Sequence, residues 1–79
     1  MQVQMSVFYN GYFLSYLIQS DDKENFHFQL KSAPKNAVYS PDNFNASVLN
    51  KKWSFSIPLD TEFQKNAIST LKKIIKQDQ

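Results

Sequence analysis

The sequence contains no cysteine and no arginine, and it has a single glycine. Without cysteine there is neither a disulfide framework nor a zinc site with thiolate ligands. Arginine is the usual residue for bidentate reading of guanine and for holding phosphates in a fixed geometry, so its absence argues against a dedicated reader of DNA sequence. A glycine-rich phosphate-binding loop is excluded, because Gly11 stands alone.

Long apolar runs are also missing. The longest apolar stretch near the start, residues 12–18, is interrupted by Ser15 and falls well short of the ~20 residues that span a bilayer. The first residues lack the basic region and the continuous apolar core of a signal peptide. We therefore expect a cytoplasmic protein that makes no membrane contact.

Aromatic residues are abundant instead. The 79 residues include seven Phe, four Tyr and one Trp, and each such ring buries about 150–250 Å² in a core. This is one way in which a short chain without disulfides can be stabilised, and homodimer formation is another. The length predicts one domain covering residues 1–79.

Residues 1–20 carry no charged side chain and predict a β-hairpin. Asn10-Gly11 is the strongest short hairpin signal, because both residues tolerate the positive φ of a type I′ turn. A two-residue loop fixes the register of the two strands. It places four pairs on one apolar face: Tyr9 with Tyr12, Val7 with Leu14, Met5 with Tyr16, and Val3 with Ile18. The opposite face pairs Phe8 with Phe13, Ser6 with Ser15, Gln4 with Leu17, and Gln2 with Gln19.

Alternation also predicts a third strand over residues 25–31 and a fourth strand around Trp53 that stops at Pro58. Residues 32–52 contain two prolines and predict a loop with a short helix. In that helix Ser40 is the N-cap and Pro41 the first residue. Its inward-facing side chains are expected to be Phe44, Val48 and Leu49.

The last segment predicts an amphipathic helix. Asp60 or Thr61 caps it, and Thr61 with Gln64 fits a capping box. One apolar stripe follows at helical spacing: Phe63, Ala67, Ile68, Leu71, Ile74 and Ile75. The predicted fold is α+β, an antiparallel sheet of three to four strands in the order β-β-β-(short α)-β-α, with the C-terminal helix packed on one face.

Catalytic and metal-binding patterns are not found in the sequence. His27 is the only histidine, and no orienting partner or nucleophile lies near it in sequence, so a structural role is expected. Asp21, Asp22 and Glu24 lack the spacing of a calcium loop and indicate a solvated turn. We therefore predict no catalytic residue, no metal and no cofactor.

The Phe8–Phe13 pair is the first candidate site, with Leu17 near it on the same face. Three alternatives follow if the helix covers the apolar face that carries Tyr9 and Tyr12. In the first, which we expect, the fourth strand or the 32–52 loop folds over the two rings. In the second, the rings lie at the centre of an interface with a protein partner or a second copy. In the third, they stack on the bases of a nucleic acid.

Lysines on the last helix form the second candidate site. Lys65, Lys72, Lys73 and Lys76 lie mostly outside the apolar stripe and could contact phosphates without sequence preference. The alternative is an ordinary solvated face, favoured by the helix dipole and diluted by Asp60, Glu62 and Asp78.

The order of three strands and a packed helix resembles, in arrangement only, the arm-type DNA-binding domains of some integrases and the latter part of double-stranded RNA-binding domains. The strand around Trp53 and the lack of Arg depart from both, and no site residue follows from either. The sequence therefore predicts a small non-catalytic interaction or regulatory module. Its alternative is a nucleic-acid-binding domain that uses the sheet aromatics and the lysine-bearing helix.

Overall fold

The computed structural model describes residues 1–77 as a single sheet of strands followed by a helix. The elements are β1 (Gln2–Tyr9), β2 (Tyr12–Gln19), β3 (Asn25–Ser32), β4 (Asn43–Leu49), β5 (Lys52–Phe55) and α1 (Thr61–Gln77). All five strands are antiparallel to their neighbours and lie in the order β1-β2-β3-β4-β5. The predicted α+β class, with a C-terminal helix on the sheet, is confirmed. The sheet has five strands rather than three to four.

The first hairpin has the predicted turn and register. Asn10 and Gly11 have φ values of 51° and 87°, as a type I′ turn requires. The eight residue pairs between β1 and β2 are those expected from the sequence, from Tyr9 opposite Tyr12 to Gln2 opposite Gln19. Turn chemistry and hydrophobic alternation specify the same pairing, so the register was predictable without the structure.

The helix α1 covers one face of the sheet, here called the inner face. It lies closest to β1, and its buried side chains pack into a core that is continuous across the sheet. Phe63 is at the centre of this core, with its ring 5.9 Å from that of Tyr9 and 5.9 Å from that of Phe44, measured between centroids. The buried apolar residues are Val7, Leu14, Tyr16, Ile18, Phe26, Phe28, Phe44, Ala46, Phe63, Ala67, Leu71 and Ile74. The apolar Tyr9/Tyr12 face of the first hairpin is therefore the one that α1 covers.

The first turn of α1 is capped by Asp60. Its Oδ2 accepts hydrogen bonds from the backbone N–H of Glu62 at 3.1 Å and of Phe63 at 3.4 Å. The predicted capping box between Thr61 and Gln64 is wrong, because Thr61 is already the first helical residue. The Gln64 side chain instead donates to the carbonyl of Leu59 at 2.9 Å.

The short helix predicted within residues 32–52 is wrong, since β4 occupies Asn43–Leu49. Phe44, Ala46 and Val48 also fit a period of two, and this period places Phe44 opposite Phe28 on the inner face. Their rings stack with centroids 4.6 Å apart. Pairing with β3 satisfies the backbone along the strand, and the weak local helix signal is overridden by this packing. The fourth predicted strand is observed as β5, and it ends before Ile57.

The loop over residues 33–42 lies against the inner face, next to α1. The Tyr12 hydroxyl donates to the carbonyl of Tyr39 at 2.9 Å, and the Tyr16 hydroxyl donates to that of Pro41 at 2.6 Å. The Tyr39 hydroxyl in turn accepts from the backbone N–H of Asp60 at 2.8 Å. Burial raises the pKa of Tyr16 above its ordinary value, so this hydroxyl stays protonated beyond the pH at which an ordinary tyrosine ionises.

Candidate interaction surface

The face of the sheet opposite α1, here called the outer face, carries an exposed aromatic pair. Phe8 and Phe13 are direct cross-strand partners near the Asn10-Gly11 turn. Their ring centroids are 5.0 Å apart with an interplanar angle of 62°, an edge-to-face arrangement. The exposed fractions are 46% for Phe8 and 62% for Phe13. The expectation that the 32–52 loop or the fourth strand covers these rings is wrong, because that loop packs on the inner face.

Leu17 lies on the same outer face but does not join the aromatic pair. It pairs with Gln4 and Gln29, and it is half-buried. It is four positions after Phe13 in an extended strand, a distance of roughly 13 Å. The structure therefore brings Phe8 and Phe13 together and leaves Leu17 among amide side chains.

On β1 and β2, the other outer-face side chains around the aromatic pair are polar and uncharged. The outer-face positions of β1 and β2 other than Phe8, Phe13 and Leu17 are Gln2, Gln4, Ser6, Ser15 and Gln19. Cross-strand hydrogen bonds hold several of them in place: Gln4 Nε2 donates to Ser15 Oγ at 3.0 Å, and Gln19 Nε2 donates to Gln2 Oε1 at 3.1 Å. These hydrogen bonds link β1 to β2 across the outer face.

This polar frame was not singled out as functional from the sequence. The signal was present, however, because the predicted register already places Gln4 beside Leu17 and Gln2 opposite Gln19. What the sequence lacked was a measure of exposure. These uncharged side chains can contribute to a binding surface only if the outer face is exposed to solvent.

His27 also lies on the outer face, beside an open depression of about 760 Å³. Its Nδ1 is 2.6 Å from the Oδ1 of Asn45 on the neighbouring strand, so Nδ1 carries the proton and donates to the amide oxygen. Within residues 1–77, no group of three or more His, Asp or Glu side chains is arranged to hold a metal ion.

In the carboxylate cluster of the turn before β3, Asp22 accepts hydrogen bonds from the turn itself. Asp22 Oδ1 accepts from the N–H of Glu24 at 2.9 Å and of Asn25 at 2.8 Å, and Oδ2 accepts from the Asn25 side chain at 2.9 Å. These hydrogen bonds, first that from Glu24, lower the pKa of Asp22 from 3.8 to about 2. Asp22 therefore shapes the turn.

Acid should weaken this turn in a defined window. Because the pKa of Asp22 is lower in the folded chain, its contribution to stability is fully present above the ordinary value of 3.8 and is lost as the pH falls through about 2. We expect Asp22→Asn to be less stable than the wild type above about pH 4, and the difference to shrink toward about pH 2. Urea unfolding at a series of pH values measures this, with Asp21→Asn as the control. A difference that does not change with pH would contradict the assignment.

The lysines of α1 are all exposed and lie on the other side of the sheet from the aromatic pair. Lys65, Lys72 and Lys76 fall within about 40° of one another around the helix axis and span roughly 16 Å along it. Since the core-facing residues Phe63, Ala67 and Ile74 lie opposite, these three lysines point away from the sheet. Lys73 lies on the flank of α1 next to β1, and Asp78 falls outside the described residues.

No helix within residues 1–77 has both the length and the apolar content needed to cross a bilayer. Comparisons of the chain with protein-family models, with curated proteins and with solved structures find no match.

Proposed function

We propose that this chain is a non-catalytic binding module that docks a protein partner on the outer face, with Phe8 and Phe13 at the centre of the contact. The observation that carries the proposal is the exposed edge-to-face pair in an uncharged frame. Interface centres are enriched in aromatic side chains and depleted in charged ones, and the strongest contacts cluster around such anchors. The pair costs little conformational entropy on binding, because each ring already contacts the other.

Nucleic-acid binding is the alternative, and the distribution of charge favours it less. Proteins that stack bases without sequence preference combine aromatic rings with a positively charged groove that follows the backbone. The outer face of β1 and β2 has no lysine beside Phe8 and Phe13. The aligned lysines of α1 lie on the inner side of the sheet and point away from it. A nucleic acid that contacted both these lysines and the two rings would have to pass around the edge of the sheet.

The experiment that tests the proposal is affinity capture from a lysate of the source cells, with and without nuclease, read by quantitative mass spectrometry. The test variant is Phe8→Ser combined with Phe13→Ser. We expect it to lose the captured partner, with affinity reduced more than about 30-fold, because two central anchors are removed. Its free energy of unfolding should fall by only about 1 kcal/mol, the size of an exposed cross-strand aromatic contact.

Leu49→Ser provides the matched control. Leu49 is a large apolar side chain with an exposed fraction of 73%, on the outer face at the far side of the sheet. This variant should retain the partner. The proposal is contradicted if the double variant captures the partner as the wild type does, or if the double variant unfolds and thereby shows the pair to be core. Capture that disappears with nuclease would instead indicate nucleic-acid binding and direct mutagenesis to Lys65, Lys72 and Lys76.

A further inference from the structure

β1 is an edge strand whose outward-facing backbone groups have no neighbouring strand. Met1 and Ser20 exchange both of their backbone hydrogen bonds. The odd-numbered residues of β1 therefore bond to β2, while the even-numbered ones direct N–H and C=O away from the sheet. Natural sheets protect such an edge with charge, proline, a bulge or short length. The eight residues of β1 include no charge and no proline, and their pairing with β2 has no bulge.

The other edge of the sheet differs. β5 has four residues and begins at Lys52, directly after Lys51. Short length and lysine are the ordinary devices against unwanted strand pairing. The two edges of this sheet are therefore not equivalent, and β1 is the one suited to pair with a further strand.

The helix α1 protects only one end of β1. Asn66 Nδ2 donates to the carbonyl of Phe8, and Thr70 Oγ1 lies 3.4 Å from the carbonyl oxygen of Ser6. Lys73 is the next residue on the same flank of α1, seven positions after Asn66, and it is exposed and makes no hydrogen bond to β1. The carbonyl and amide groups of Gln2 and Gln4, and the amide of Ser6, remain open.

We propose that a second copy of this chain pairs with this open segment, β1 against β1 in antiparallel orientation, with the two-fold axis at Gln4. Gln4 then faces Gln4 of the second copy, and Gln2 faces Ser6, so that the open groups form about four backbone hydrogen bonds. On the inner face, the half-buried Val3 lies opposite Met5 of the second copy. Amide meets amide, apolar meets apolar, and no charges of β1 oppose each other. The surface is therefore self-complementary, as a two-fold interface requires.

This dimer is separate from the aromatic pair, so it goes beyond the proposed partner binding. It joins two sheets into one and leaves both outer faces accessible on the same side. The two Lys73 side chains lie on the inner side of the joined sheet. Because salt screens their mutual repulsion, we expect the dimer to tighten as ionic strength rises.

Sedimentation velocity over a wide range of concentrations tests the proposal. The wild type should show a monomer–dimer equilibrium. Gln4→Pro should weaken the dimer by at least about tenfold, because it deletes the central outward N–H and the hydrogen bonds that depend on it. That N–H makes no bond to β2, so the variant should keep its circular-dichroism spectrum. Gln4→Thr keeps the N–H and should remain dimeric.

Amide hydrogen exchange gives a second measurement that needs no variant. Protection of the amides of Gln2, Gln4 and Ser6 should rise with protein concentration. A wild type that stays monomeric at the highest concentration overturns the proposal. The β1 edge would then be a site for an extended segment of another protein. A dimer that survives Gln4→Pro also overturns the proposal. So does a dimer that is lost in the Phe8→Ser and Phe13→Ser double variant, because that result would place the interface on the outer face.

Discussion

Replacing Phe63 with Ala is expected to destabilise the chain by about 3–5 kcal/mol, because the substitution leaves a cavity in the core. Phe63 is fully buried. Besides Tyr9 and Phe44, its ring meets those of Tyr16 at 6.2 Å and Tyr39 at 5.6 Å. One side chain thus connects α1 with β1, β2, β4 and the 33–42 loop. A chain of this length is stable by only about 4–12 kcal/mol in total, so the variant should be close to unfolding.

Urea unfolding followed by circular dichroism and by the fluorescence of Trp53 measures this loss. Phe13→Ala is the matched control, since it makes the same chemical change at a ring that is mostly exposed. The control should lose no more than about 1 kcal/mol. If the two substitutions had similar effects, Phe63 would not be the centre of the core.

The second large effect is expected from overpacking of the core at Ala67. Ala67 is fully buried on α1, the helix that lies closest to β1. Ala67→Leu inserts three carbons into a filled space and should cost about 1–3 kcal/mol. It should also move α1 away from β1 and weaken the contacts of Asn66 and Thr70 with the edge carbonyls.

Thermal unfolding measures this second effect, with Ser69→Leu as the control. Ser69 is an exposed residue of the same helix, so leucine there has space and raises helix propensity slightly. The control should be as stable as the wild type or a little more stable. An Ala67→Leu variant of undiminished stability would show that α1 packs less tightly than the burial of Ala67 indicates.

Much of the fold could be predicted because local and long-range signals agreed. The Asn10-Gly11 turn and the alternation of the flanking strands specify one register, and the 3.6-residue period of the last segment specifies one helix face. In the 32–52 segment the signals conflict. Ser40-Pro41 favours a helix start, whereas the alternation of Phe44, Ala46 and Val48 favours a strand. Only the stacking of Phe44 on Phe28, which is remote in sequence, decides between them.

The pairing of the candidate residues Phe8 and Phe13 could be predicted from the sequence, but their exposure to solvent could not. Pairing of Phe8 with Phe13 follows from the register, but which face the 33–42 loop covers depends on hydrogen bonds from Tyr12 and Tyr16 to that loop. Those contacts span 27 and 25 residues and leave no local pattern in the sequence. The grouping of Leu17 with the aromatic pair had a simpler flaw. A shared face does not bring two side chains together across four extended residues.

The position of α1 has a consequence for how the chain is made. The helix follows all five strands in sequence, and its contacts with β1 join residues 58 and 64 positions apart. The strands can pair with their neighbours as they leave the ribosome, because each hairpin is local. Val7 and Leu14, however, stay uncovered until residues 61–77 have emerged from the exit tunnel. The nascent sheet is therefore most prone to aggregation in the interval when every strand has emerged and the helix that covers them has not.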